Sequence, residues 1–222
     1  MIQIEICAPS LASAEAARKG GATRVELCRD LRCGGLTPSE RDIYECVQTL
    51  GLQTRVLIRP RPGNFCYTAE EWAEIEASIA LCRRAGAAAV VVGFLDKEGR
   101  IDRQSTRRAV ELADGMEVTF HRAFDEAQQP PLEALQAVAD CGCSKLLTSG
   151  QAPSAPEGIA TLRSLVGQTA VSVVAGSGIT PANARHVVQA TGVAEIHASC
   201  KNAAYQTSAD LVASLIAAVE GL

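Results

Sequence analysis

Two segments near the N-terminus share one pattern: Ile4-Glu5-Ile6-Cys7 and Val25-Glu26-Leu27-Cys28. Each alternates an apolar residue with a glutamate or a cysteine. In a strand, alternate side chains point to opposite faces, so Glu5 shares a face with Cys7, and Glu26 with Cys28. If the strands are parallel neighbours, two carboxylates and two thiols gather at one end of a sheet. Such a cluster suits acid–base chemistry or a soft metal ion. The alternation recurs downstream. Leu57 and Arg59 alternate with Val56 and Ile58, Thr119 and His121 with Val118 and Phe120, and Glu195 and His197 with Ala194 and Ile196.

These residues need a scaffold, and strand-like and helix-like segments alternate along the whole chain. Strands are expected over 2–7, 24–28, 55–59, 88–93, 117–121, 145–149, 171–175 and 194–198. Helical patterns follow over 11–19, 38–50, 69–85, 102–113, 131–140, 156–166, 181–190 and 208–220. Thr37-Pro38 with Glu40 reads as an N-cap, a first-turn proline and a capping box. Thr68 with Glu71 repeats the box, and Thr180-Pro181 the cap and proline. Apolar residues recur at helical spacing: Trp72, Ile75, Ile79 and Cys82, then Leu211, Leu215 and Val219.

Eight strand–helix units in 222 residues point to an α/β TIM (β/α)8 barrel, a compact single domain over 1–222, since the fold typically takes about 250 residues. An open doubly wound sheet is the rival, but no nucleotide-binding glycine signature follows the first strand. In a barrel the apolar set packs against the helices, and Glu5, Glu26, Arg59, His121 and His197 point to a common interior at the functional, C-terminal face. The structural alternative is a buried salt-bridged plug. It must account for many ionisable groups, each costing several kcal/mol unless well paired.

The loops at this face add further candidates. Arg59-Pro60-Arg61-Pro62-Gly63 follows the third strand, and guanidinium forks bind carboxylate or phosphate bidentately. Ala175-Gly176-Ser177-Gly178-Ile179 ends the seventh strand, where small residues let backbone N–H groups approach an anion. Leu147-Thr148-Ser149-Gly150-Gln151 supplies hydroxyl and amide donors. For metal binding, Cys7 and Cys28 are the thiolate candidates, although barrel shear means that their sulfurs need not be level. Cys66 or a histidine is an optional third ligand. Cys33 lies in a glycine-rich loop near Cys28. Cys141 and Cys143 precede the sixth strand, on the opposite, stability face. His186 falls within a helix, in a solvent or packing role.

Composition limits the partners. Hydrophobic residues make up 47% of the chain, charged residues 21%, and net charge is −4. With no basic run, nucleic acid is not an expected partner. No apolar stretch is long enough to span a bilayer, and the N-terminus does not read as a secretory leader. Nine cysteines without framework spacing read as reduced thiols in the cytosol.

Together the motifs resemble the CutC family of copper homeostasis proteins. The resemblance rests on Val25-Glu26-Leu27-Cys28 with Gly34-Gly35-Leu36-Thr37-Pro38-Ser39, Ile58-Arg59-Pro60-Arg61 through Gly63, and Phe65-Cys66-Tyr67. It continues through Thr119-Phe120-His121-Arg122-Ala123-Phe124-Asp125 and Leu147-Thr148-Ser149-Gly150-Gln151. It implies a cytoplasmic TIM barrel, a homo-oligomer and a link to copper, with Cys7 and Cys28 at the positions of the family's suspected Cu(I)-binding cysteines. It also implies a longer polar segment before the last helix than Ala198 to Gln206 supplies, so any lid there is reduced. Lys201 and Tyr205 stay within reach of the mouth.

Two functions are therefore open. One is Cu(I) binding by Cys7 and Cys28. The other is a TIM-barrel enzyme, an isomerase, lyase or hydrolase, acting on a small anionic or phosphorylated metabolite. In that reading Glu5, Glu26, His121 and His197 are the acid–base candidates. Arg59, Arg122, Ser149, Gly176, Ser177 and Gly178 are the anion-binding ones. An enzyme barrel with incidental metal affinity would combine the two.

Overall fold

The computed structural model describes residues 2–222. Eight strands, β1 (Gln3–Ala8), β2 (Arg24–Leu27), β3 (Gln53–Leu57), β4 (Ala89–Val92), β5 (Glu117–Phe120), β6 (Lys145–Thr148), β7 (Ser172–Ala175) and β8 (Glu195–Ala198), alternate with eight α-helices. The helices are α1 (Leu11–Lys19), α2 (Glu40–Thr49), α3 (Ala69–Ala85), α4 (Arg103–Ala113), α5 (Pro131–Asp140), α6 (Ile159–Leu165), α7 (Ala184–Thr191) and α8 (Ala209–Val219). The strands pair in sequence order into a closed parallel barrel, with β8 returning to β1. This is the expected (β/α)8 architecture.

Period-two alternation divides the side chains into two populations. Outward residues such as Ile6, Val25, Leu27, Val56, Val90 and Phe120 join the helices in one continuous apolar layer. Small residues keep that layer thin. Ala14 and Ala17 face it from α1, and at Gly20 a Cβ would come within 2.6 Å of Val212 Cβ, so only glycine lets α1 end against α8.

The helix starts show where local signals compete. Thr68 and Glu71 form the expected capping box on α3. Two other caps are corrections. Ser39, not Thr37, caps α2, because the Thr37 hydroxyl accepts from the Arg59 N–H at 2.8 Å. Asn183, not Thr180, precedes α7, and its side-chain oxygen accepts from the Thr180 N–H at 2.8 Å. The sixth helix starts at Ile159 rather than 156, because the turn at 154–158 packs Gly158 onto the Ser149 carbonyl, leaving no room for a Cβ. Ile75, Ile79 and Cys82 are buried on α3 and Trp72 stacks on Phe94 at 4.9 Å. Leu215 and Val219 are buried on α8, but Leu211 is exposed beside the barrel mouth.

Inside the barrel the lower layers are ionic. Arg24, Arg55, Lys145, Glu5 and Glu195 point inward with Gln3, Ser172 and Thr119. Arg24 pairs with Glu195 at 2.7 Å and donates to Gln3 at 2.7 Å. Lys145 also pairs with Glu195, which accepts from Ser172 at 2.8 Å. Arg55 pairs with Glu117 and donates to Thr119 at 3.1 Å. Glu5 lies between the two guanidiniums, its Oε2 at 3.2 Å from Arg24 Nε and 3.0 Å from Arg55 Nε. The salt-bridged plug and a strand-end cluster are therefore both present, at different heights in one barrel.

Removing Arg55 takes from the buried Glu5 carboxylate one of the two guanidiniums it lies between. Arg55→Leu is expected to lower unfolding stability by about 3–5 kcal/mol, the cost of an uncompensated buried charge. Urea denaturation measures it, and a loss under about 1 kcal/mol would mean that the plug is not a source of stability.

Candidate functional site

Strand register explains which plug residues continue into a site. Glu5 on β1 stands directly opposite His197 on β8, and Cys7 directly opposite Glu26 on β2. Parallel partners point the same way, so His197 reaches Glu5 Oε1 through Nδ1 at 2.9 Å. Shear places Cys7 level with Glu26 rather than with Cys28, whose position is two residues further along. The sulfurs meet diagonally, with Cys7 Sγ 3.7 Å from Cys28 Sγ. Ligand atoms of Cys7, Glu26 and His197 lie within 4.8 Å of one another. All are buried, and Glu26 Oε2 has no hydrogen-bond partner.

This cluster forms the floor of a cavity of about 740 Å³ at the C-terminal mouth. Cys7, Glu26 and His197 line it. Cys28, buried beside Cys7, does not. Arg59, His121 and Arg122 form further lining, with Ser177 and Gly178 at the rim. Glu5 lies beneath, bound into the plug. Gly176 packs against Leu147 and His197. Ser149 is fully buried, its hydroxyl held by Asp125 at 2.9 Å and by the Ala152 carbonyl. Cys66 is not part of the lining, and its carbonyl accepts from Arg61. Cys33 reaches the rim. Cys141 and Cys143 are buried at the far end, and His186 is solvent-exposed on α7.

Two side chains organise the mouth. Arg59 donates from Nη1 to the carbonyls of Cys33 at 2.9 Å and Gly35 at 3.1 Å, and from Nη2 to Gly63 at 3.0 Å, tying the loops after β2 and β3 together. Arg61 is committed elsewhere, to Glu71, Asn64 and the Cys66 carbonyl. Asp125 was not singled out in the sequence, yet it accepts from Thr148, from the N–H groups of Ser149 and Gln151, and from Arg122 at 2.9 Å. It clamps the loop after β5 to the end of β6. The signal was there in the Thr119–Asp125 and Leu147–Gln151 motifs, two polar segments of consecutive units. His121 accepts from the Ala123 N–H through Nδ1 at 3.1 Å, which assigns its hydrogen to Nε2. Its ring rests on Gly93, where any Cβ would overlap it, and 5.0 Å from the Phe65 ring.

The floor carries opposed proton affinities. Burial pushes the Glu26 carboxyl up to about 7, and neighbouring Glu5 adds to this. Burial also works against charge on Glu5 and His197. On Glu5 it is outweighed by the His197 hydrogen bond and charge and by Arg24 and Arg55, so the pKa falls. On His197 it is outweighed by Glu26, Cys7 and Glu5, so the pKa rises well above its usual range. The Cys28 hydrogen bond, with burial, raises the Cys7 thiol well above a free cysteine. At the wall the direction reverses, since burial and the Arg59 charge hold His121 neutral, at about 3.

The family model described as "CutC family" matches residues 2–202. The CutC family protein of Chromobacterium violaceum is 45% identical over 200 residues, covering 89% of this chain and 81% of that protein. This chain belongs to the CutC family. A second CutC family protein, from Vibrio vulnificus, is 41% identical over 204 residues, 90% of this chain and 81% of that protein. Among solved structures, CutC of Streptococcus agalactiae, whose name refers to copper homeostasis, superposes with a TM-score of 0.84 at 30% identity. It covers 90% of this chain, which covers 99% of it. The CutC resemblance and the TIM-barrel fold read from the sequence are thus both established. No helix among the described residues is long and apolar enough to cross a membrane.

In this CutC chain the raised Glu26 pKa has a thermodynamic sign. A carboxyl with a folded pKa of about 7 against an ordinary 4.5 disfavours the folded state as pH rises through that window. Glu26→Gln is expected to gain on the parent, by a few degrees in Tm, between pH 5 and pH 8. Paired thermal melts at the two pH values test this, and a pH-independent difference would refute the buried, unpaired assignment.

Proposed function

We propose that this CutC protein binds Cu(I) as its cargo in a reducing, cytosolic setting, through the thiolates of Cys7 and Cys28. The observation that carries the reading is the 3.7 Å separation of the two sulfurs. That span is less than twice a metal–sulfur bond of about 2.3 Å, so one ion can touch both. Soft thiolates select Cu(I) among biological metals. The donor chemistry fits further: all nine cysteines are free, and Glu26 keeps an unpartnered oxygen beside Cys7. The copper homeostasis name of the Streptococcus agalactiae relative agrees.

The flanking groups have separate tasks in this reading. Cys7 holds a proton until the metal displaces it, so binding releases protons and strengthens as pH rises. Glu5 holds His197 by Nδ1, and Glu26 with Glu5 keeps it cationic, which offsets the negative charge of two thiolates. Glu26 is the nearest oxygen donor. Cys7 lines the cavity and Cys28 lies behind it, so the ion enters from the Cys7 side.

Competition titration against a Cu(I) chelator tests the proposal. The Cys7→Ser/Cys28→Ser variant is expected to lose at least about a hundredfold in affinity, more than loss of an outer-shell partner typically costs. The Cys66→Ser variant is expected to bind as the parent does. Unchanged affinity in the double variant would remove these cysteines as ligands. Tighter binding of Zn(II) than Cu(I) in the same assay would reassign the cargo.

A further inference from the structure

One wall of the cavity carries a positive charge that the protein does not neutralise. Arg59 is only 7% exposed. Among the described residues no carboxylate stands within ion-pair distance of it. Its Nη atoms are spent on three loop carbonyls, and its Nε has no partner. Buried charges are normally paired, because leaving one unpaired is costly.

The neighbouring donor is equally idle. His121 is 5% exposed, and its Nε2, the ring nitrogen assigned the hydrogen, has no partner. The Phe65 ring contacts both residues, its centroid 5.0 Å from the Arg59 guanidinium carbon and 5.0 Å from the tilted His121 ring, and all three line the cavity.

A third set of donors lines the rim. The N–H groups of Ser177, Gly178 and Ile179 meet no acceptor among the described residues. Ser177 and Gly178 both adopt the left-handed region, with φ of 73° and 74°. A serine there is uncommon. Successive N–H groups in such a turn form an anion-binding concavity. Three adjacent amides match the equivalent oxygens of a phosphoryl group better than the two of a carboxylate.

We propose that the cavity binds a small organic phosphate. Its phosphoryl group sits on the Ser177, Gly178 and Ile179 amides, and a second oxygen, carbonyl or carboxylate, faces the wall that Arg59 and His121 form. The ligand lies above the thiol floor and needs no metal there. The assignment is therefore independent of the copper reading.

Phosphoglycolate, which joins a phosphate to a carboxylate, is the probe, with inorganic phosphate as the comparison. The 222-residue, metal-free chain is titrated while thermal stability and NMR resonances are followed. At millimolar phosphoglycolate the fold is expected to be stabilised. The Ser177, Gly178 and Ile179 amides and the His121 ring nitrogens shift together, whereas inorganic phosphate binds more weakly and moves the amides alone. Ser177→Asp, which puts a carboxylate at the site, is expected to weaken binding at least about tenfold. Cys66→Ser, at a residue outside the cavity lining, binds as the parent does. Cys7→Ser/Cys28→Ser also retains phosphoglycolate, which separates this proposal from the metal site.

Absence of shifts at these four residues would overturn the site, as would equal affinity in Ser177→Asp. Equal affinity for inorganic phosphate and phosphoglycolate would overturn the role of Arg59 and His121. Should Ser177→Asp fail to fold, the shift map of the parent protein decides alone.

Discussion

The Glu5 carboxylate is the joint on which this barrel is built. It accepts from His197 above and sits between Arg24 and Arg55 below. Without these cations a carboxylate so deep in the barrel would take up a proton, and without the carboxylate two guanidiniums would be buried with too little counter-charge. The plug is balanced in formal charge: Arg24, Arg55 and Lys145 against Glu5, Glu117 and Glu195. Its effect reaches the mouth through one residue. His197 belongs to both layers, with Nδ1 fixed by the plug and the rest of its ring on the cavity floor. The position of the floor is thus set by the buried pairing of Glu5 with Arg24, Arg55 and His197 beneath it.

Above the plug, loop-level hydrogen bonds replace strand pairing as the positioning force. Arg59 and Asp125 each gather several backbone groups that would otherwise be unpaired near the mouth. A charged group bonded to peptide groups is stronger than a neutral one. These clamps explain why loops of such length, seated on short strands, hold Phe65, His121 and Ser149 in fixed positions. They also divide the mouth electrically. The floor holds the Glu26 carboxyl and the Cys7 thiol, and the wall at Arg59 is cationic. Burial, aided by the Arg59 charge, keeps His121 neutral, whereas the carboxylates facing His197 keep it charged. One residue type thus takes opposite protonation states in one cavity, according to which side it faces.

Much of this was legible in the chain because period-two alternation is a local signal. Glu5 with Cys7, Glu26 with Cys28, and Thr119 with His121 each declare their common face within three residues. The eight strand–helix units declare the barrel. Register was not legible. That Cys7 stands opposite Glu26, and Glu5 opposite His197, follows from barrel shear, which no local pattern encodes. The depth of Glu5 was hidden for the same reason. Arg24 and Arg55 were readable as inward residues, two positions before Glu26 and Leu57, but ordinary strand charge gave no reason to read them as partners of Glu5. The misread caps at Thr37 and Thr180 have a different cause. Both hydroxyl–proline signals were genuine locally, but Arg59 reclaimed the first and Asn183 bypassed the second. Ser149 illustrates the limit of composition: a hydroxyl at a strand end reads as a donor to ligand until Asp125 is seen to hold it.

The arrangement also says why metal and anion chemistry can share one mouth without interfering. A soft cation would be held at the floor by thiolates formed as it displaces their protons, and an anion would meet the uncompensated Arg59 charge at the wall. Occupying one subsite would therefore favour the other electrostatically, since each bound charge compensates the field of the opposite one. The coupling would be reciprocal by thermodynamic necessity. A barrel evolved for a small organic anion would carry such a thiol-bearing floor at little cost to the plug beneath, because Cys7 and Cys28 pack with Leu57 and Val91 as apolar side chains when no metal is bound. Free thiols are apolar enough to serve as core and reactive enough to serve as ligands.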